Sequence, residues 1–189
     1  RAAILLLQTA GLRRAEVTSV TWGQMEKARL GNHESDVWAI RFSGKGNRER
    51  VVPINPVTFE ALEAHYKDRL DLIESGDLSR YAHLEKEAFP LLGILDERLA
   101  CESAGTPGDL ASNAMRRANN TGALSASRLH GILKAFFKKT QGHRDAIGTD
   151  FDKASAHWLR HTFAHQTLES SDKNLPVVQQ LLGHADIST

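Results

Sequence analysis

His157–Thr189, HWLRHTFAHQTLESSDKNLPVVQQLLGHADIST, is the stretch that decides how this sequence is read. It gathers four of the nine histidines, frames Arg160 between His157 and His161, and carries a Leu182-Gly183-His184 element. Because His157, His161 and His165 are spaced i, i+4, i+8 along one side of a helix, a shared zinc ion is the first chemistry to weigh. A hydrolytic zinc helix needs a glutamate beside its first histidine. Trp158, Leu159 and Arg160 stand there instead, and a fixed cation beside a dication is unfavourable, so no metal is expected. His157 and Arg160 are instead helix-surface neighbours at i and i+3, and an imidazole with a guanidinium is a natural pair for two oxygens of a phosphate.

Two further cations could join them from distant parts of the chain. GKGNRER, residues 44–50, flanks Lys45 with glycines that let it reach outward from a turn, and TAGLRRAE, residues 9–16, puts Arg13 at a helix N-terminus where backbone N–H groups also favour anions. Four converging cationic groups suit a phosphoryl transition state stabilised by preorganised donors. Singly, each of these arginines reads more readily as a surface or ion-pair residue; only their conjunction carries a signal.

The periodicities around these segments predict a mainly helical fold with one small antiparallel hairpin. Ala2 to about Thr9 reads as a helix, broken at Gly11 and followed by a second helix from near Arg13, with Val17 and Val20 on one side. Val37–Phe42 and Arg50–Ile54 read as strands around Gly44, Gly46 and Asn47. Phe59, Leu62, Tyr66, Leu70 and Ile73 make one face of a helix from Pro56, and Leu129, Ile132, Leu133, Phe136 and Phe137 make the face of another, capped by Ser125 or Ser127. A last helix pair is expected from about Ala154 to Leu168 and from Pro176 to Leu182. Residues from about 74 to 121 have no clear pattern and read as an irregular insertion rich in Gly, Pro, Ser and Asn.

The 189 residues suffice for one domain with a substantial core, and 41% hydrophobic with 25% charged residues is the composition of an ordinary globular protein. No apolar run is long enough for a membrane helix, no signal peptide is evident, and Cys101 is alone, which together lead to a cytoplasmic expectation. A net charge of +1 gives no bulk pull toward nucleic acid, so any basic face must arise by clustering.

TAGLRRAEVTSVTW, GKGNRERVVPI, HWLRHTFAHQTL and VVQQLLGHADIST resemble, in the same order, the four signature segments of the phage integrase family, the tyrosine site-specific recombinases. The resemblance implies the integrase catalytic-domain fold of the DNA breaking-rejoining enzymes and a role for each matching residue. Arg13 and Arg160 would clamp the non-bridging oxygens of the scissile phosphate, while His157 would hydrogen-bond it and assist proton transfer. Lys45 would protonate the departing 5′ oxygen, and His184 would donate to the phosphate and help position the nucleophile. Glu16 would hold the arginine turn, and His161 would support helix packing. No cofactor is implied; the partner is double-stranded DNA, on which the full-length protein would act as a homo-tetramer, while the present chain alone is compatible with a monomer.

In that family a tyrosine attacks the phosphate and forms a 3′-phosphotyrosine bond. It follows the Leu-Gly-His element by roughly nine residues, about two and a half helical turns, which falls beyond Thr189. Tyr66 lies among the apolar positions of its helix and Tyr81 in the irregular middle, so neither suits the role. A helical core-binding domain would precede Arg1. Residues 1–189 are therefore expected to be a catalytic domain lacking both the core-binding domain and the tyrosine segment, able to hold a phosphate but not to cleave DNA. The alternatives are a non-catalytic DNA-binding or regulatory module that keeps the fold, and a topoisomerase-like relaxation using the same chemistry.

Overall fold

The computed structural model describes residues 1–29, 36–43, 49–97, 120–141 and 151–182. Among them are six α-helices: α1 (Ala2–Ala10), α2 (Arg14–Ser19), α3 (Pro56–Glu74), α4 (Ala126–Gln141), α5 (Ala156–Ser170) and α6 (Leu175–Leu182). Three strands, β1 (Met25–Ala28), β2 (Val37–Ser43) and β3 (Glu49–Pro53), form one antiparallel sheet in the order β1-β2-β3. The fold is mainly α with a small antiparallel sheet, and no helix among the described residues is long and apolar enough to cross a membrane.

Local chemistry accounts for most of the boundaries. Gly11 ends α1 in the left-handed region at φ 58°, and a Cβ there would collide with the ring of Phe163 on α5. Only glycine satisfies both constraints. Asn55 caps α3 by accepting from the Thr58 amide at 2.7 Å, with Pro56 supplying a preset φ in the first turn. The Thr9 and Thr58 hydroxyls meet at 2.8 Å and tie α1 to α3. Ser125 caps α4 through the Arg128 amide at 3.2 Å. Ser155 accepts from the Trp158 amide, so α5 begins at Ala156, two residues later than the sequence suggested.

β1 was not foreseen. Its four residues, MEKA, hold two charges and no alternation, and only pairing with β2, from Met25 opposite Ile40 to Ala28 opposite Val37, makes them a strand. The face predicted for α4 is also too wide. Leu129, Leu133 and Phe137 are buried at i, i+4, i+8, whereas Ile132 and Phe136 are each 46% exposed, one position round the helix.

Residues 76–97 carry only short 3-10 turns, at Ser79–Tyr81 and Lys86–Ala88, yet they belong to the core. Leu78, Tyr81, Phe89, Leu91, Leu92 and Ile94 are all buried, and the Trp22 amide donates to Phe89 O while the Leu91 amide donates to Val20 O, both at 2.9 Å. Aromatic rings carry the sheet onto α3: Trp38 stacks on Phe59 at 4.5 Å, Trp22 meets Tyr66 at 5.3 Å, and Tyr66 meets Phe89 edge-on at 5.3 Å. Each such pair contributes roughly 0.5–1.5 kcal/mol beyond its burial. Residues 98–119, the rest of the expected insertion, lie outside the described residues.

Candidate functional site

α5 brings a charge into the interior. Its buried positions are Ala156, Leu159 and Arg160, so the arginine occupies the apolar stripe of its own helix, 8% exposed. The cost of burying a guanidinium is met by carbonyls. Nη1 donates to the Gly11 carbonyl and Nη2 to the Leu182 carbonyl at 2.7 Å. The other three donors of the fork have no acceptor among the described residues, and Arg160 lines an open cavity. Burial first, then the neighbouring Arg13 and Arg50, lowers the Arg160 pKa to about 10, with Glu16 opposing them; the group stays cationic at neutral pH.

Arg13 stands at the N-cap of α2, and Glu16 braces it twice. One carboxylate oxygen accepts from the Arg13 amide at 2.7 Å and the other from Arg13 Nη1 at 3.0 Å. Glu16 therefore fixes the backbone and the guanidinium of the turn together. Arg13 keeps 48% of its side chain exposed, so it can still turn toward a ligand.

A cavity of about 420 Å³ opens between these elements, lined by Leu12, Arg13 and Arg14 from the α1–α2 turn, His130 from α4, and Ser155, Ala156, His157 and Arg160 from α5. Three arginines and two histidines line it, no carboxylate does so among the described residues, and the N-terminus of α5 adds its own amides and dipole. Such a wall has the electrostatic character that suits an anion. His157 and His161 meet Nε2 to Nε2 at 2.8 Å, so one ring donates to the other. His161 is exposed, and its place is beside His157 rather than in the helix packing expected of it. His165 is solvated, 3.4 Å from Glu169.

Of the residues singled out in the sequence, Arg13, Glu16, His157, Arg160 and His161 come together here, while Lys45 and His184 lie outside the described residues. Tyr66 and Tyr81 do not line the cavity; Tyr81 is 1% exposed and Tyr66 packs between Trp22 and Phe89. Sequence reasoning missed His130, Arg14 and Arg50. His130 sits on a helix whose pattern is set by its leucines and gave no signal. Arg50 had one: alternation puts it on the face of Val52, and it pairs across the sheet with buried Phe42.

The model of the phage integrase family matches residues 1–189. The chain belongs to the phage integrase family. Its curated relatives in that family include tyrosine recombinase XerD of Rickettsia bellii (strain RML369-C), 26% identical over 188 residues, and tyrosine recombinase XerC of Pseudomonas putida (strain F1), 30% identical over 189. These alignments cover all of this chain but 48% and 45% of the relatives, so the chain spans about half the length of the curated integrase-family proteins it matches. Among solved structures it is similar to a XerH site-specific recombinase bound to difH substrate in a pre-cleavage complex, with a TM-score of 0.59, 20% identity, 98% of this chain and 40% of that one covered. It is also similar to the XerA recombinase, with a TM-score of 0.55 at 21% identity, covering 99% of this chain and 49% of the other. At these identities the structures share the integrase fold with this chain, and the cavity described above lies within it.

Proposed function

We propose that this chain is the phosphate-binding core of a site-specific DNA recombinase that exchanges strands by transesterification through a 3′-phosphotyrosyl intermediate. The observation that carries the reading is the acid-free cavity where Arg13, His157 and Arg160 converge from two separate segments. A scissile phosphate seated there meets a guanidinium on each side, and the charge that grows in the transition state meets donors already oriented by Gly11, Leu182 and Glu16. His157, hydrogen-bonded to His161, hydrogen-bonds the phosphate and assists proton transfer at it. Lys45 protonates the leaving 5′ oxygen and His184 positions the nucleophile, roles taken from the signature segments in which they stand. His130 and Arg14 extend the same wall and contact the neighbouring backbone.

The nucleophile is a tyrosine supplied from outside residues 1–189, since both tyrosines of the chain are committed to packing. The substrate is double-stranded DNA, in keeping with a similar structure named as a site-specific recombinase bound to its difH substrate, and the full-length protein would act on it as a homo-tetramer, as the signature segments imply. That same commitment of Tyr66 and Tyr81 favours, as the second reading, a non-catalytic DNA-binding module with this pocket. Covalent trapping separates the two: the full-length protein is incubated with nicked duplexes carrying candidate sites and the product is denatured. A denaturation-resistant protein–DNA band mapping to a tyrosine is expected. Intact DNA binding with no band on a good site moves the assignment to the binding module.

A further inference from the structure

We infer that Arg50 is a positioning residue of this site, joining the Arg13–Glu16 turn to the C-terminal end of α6 and so to the segment that carries His184; the inference rests on the recombination reading above. Arg50 enters from β3, opposite Phe42, and lies over that ring with its guanidinium carbon 5.0 Å from the centroid. Its side chain is only 17% exposed. From there Nη1 donates to the Leu182 carbonyl at 3.0 Å, and Nη2 lies 2.7 Å from Glu16 Oε2, an ion pair by proximity rather than an aligned hydrogen bond.

Leu182 is the last residue of α6, and its carbonyl is one of the four that a helix leaves unpaired at its end. Arg160 takes the same oxygen at 2.7 Å. A carbonyl has two lone pairs, and here one arginine fills each, at the negative end of a helix dipole. Two guanidiniums held at one oxygen repel each other, and Glu16 supplies the opposing charge through Arg50 and Arg13 together. Removal of Arg50 leaves Glu16 with a single partner and frees Arg160 to draw the end of α6 out of register. His184 follows Leu182 by two positions in the sequence. Arg50 does not line the cavity, which separates its role from that of a phosphate ligand.

The test compares full-length wild type with Arg50→Gln and Arg50→Lys. Three quantities are read: single-turnover adduct formation at saturating nicked duplex, DNA affinity across a salt series, and hydrogen exchange of the amides in residues 175–182. Arg50→Gln is expected to slow adduct formation on the order of 10²-fold, the cost of a misplacement of about 1 Å. DNA affinity and its salt slope stay at the wild-type value, because no phosphate contact is lost. Arg50→Lys recovers part of the rate, since an ammonium reaches one of the two acceptors but not both, and both variants exchange faster at the end of α6. A wild-type adduct rate in Arg50→Gln overturns the inference, and so does a salt slope lower by about one, which marks a phosphate contact. If Arg50→Gln fails to fold, the Lys variant decides by the same readouts. If wild type itself forms no adduct, the recombination reading fails, while unchanged exchange at residues 175–182 separately refutes the coupling.

Discussion

Two buried arginines, Arg160 and Arg69, show how the same side chain is put to opposite uses. Neither makes a salt bridge to a carboxylate among the described residues, and in each burial lowers the pKa to about 10. Arg69, on α3, is fully enclosed: its guanidinium lies 5.1 Å from the Phe89 ring centroid and 5.7 Å from that of Tyr81, and Nη2 donates to the Thr121 carbonyl at 3.2 Å. Gly93 and Gly122 have no room for a Cβ because this side chain fills it. Nε and Nη1 find no acceptor among the described residues, and Arg69 does not line the cavity at Arg160. Arg160, by contrast, spends two donors on carbonyls and turns the remainder to an open cavity beside Arg13. Burial alone therefore does not mark a functional cation. The difference lies in what the unused donors face.

The comparison breaks most sharply at Arg160. Arg160→Ala in the full-length protein should lower covalent adduct formation by about 10²–10³-fold, as loss of one oriented donor to a transition state does, while the fold persists; single-turnover trapping and circular dichroism read the two effects. Arg69→Ala should do the reverse, costing about 3 kcal/mol in denaturant unfolding through the space it empties, and leaving adduct formation by the folded fraction unchanged. Arg69→Met, which keeps the volume and removes the buried charge, should be neutral or stabilising. Equal effects of both arginines on rate would erase the distinction.

Gly11 connects the two kinds of role, since its carbonyl holds Arg160 and its bare Cα admits Phe163. Gly11→Ala should destabilise the fold by about 1–3 kcal/mol, from the left-handed backbone and the collision together, and slow adduct formation as well. The smallest effect is expected at His65, near Arg69, whose Nε2 lies 3.1 Å from both the amide and the carbonyl of Gly93. Burial, then Arg69, pushes its pKa below the usual 6.5, while the Gly93 hydrogen bond and Asp68 oppose the shift. The folded ring resists a proton that the unfolded chain accepts, so its contribution to stability is fully present above 6.5 and is lost as pH falls through the lower, folded value. Unfolding midpoints on either side of 6.5 should differ less in His65→Gln than in wild type.

The legible part of the site was the part written in local sequence. Gly11, Arg13 and Glu16 lie within one turn, and the spacing of His157 and Arg160 fixes them as neighbours on one helix, so their chemistry could be read before any fold was known. Arg50 and His130 were not legible in this way. Each matters through a contact with an element far off in the chain: Arg50 with Leu182, and His130 with a cavity whose other walls are α2 and α5. Residues 76–97 were obscure for a related reason. Short 3-10 turns give apolar residues no fixed period, so Tyr81, Leu91 and Ile94 do not declare themselves as core until α3 and Val20 are set against them.

The family, the helical character and the candidacy of Arg13, His157 and Arg160 were written in the sequence, because these depend on residue type and on spacing within a turn or two. Only the tertiary structure decided that Arg160 is locked by Gly11 and Leu182, that Arg50 shares its carbonyl, and that Arg69 is a strut. Hydrogen-bond donors and acceptors are present everywhere along a chain, and which of them meet is set by packing between elements that the sequence keeps apart.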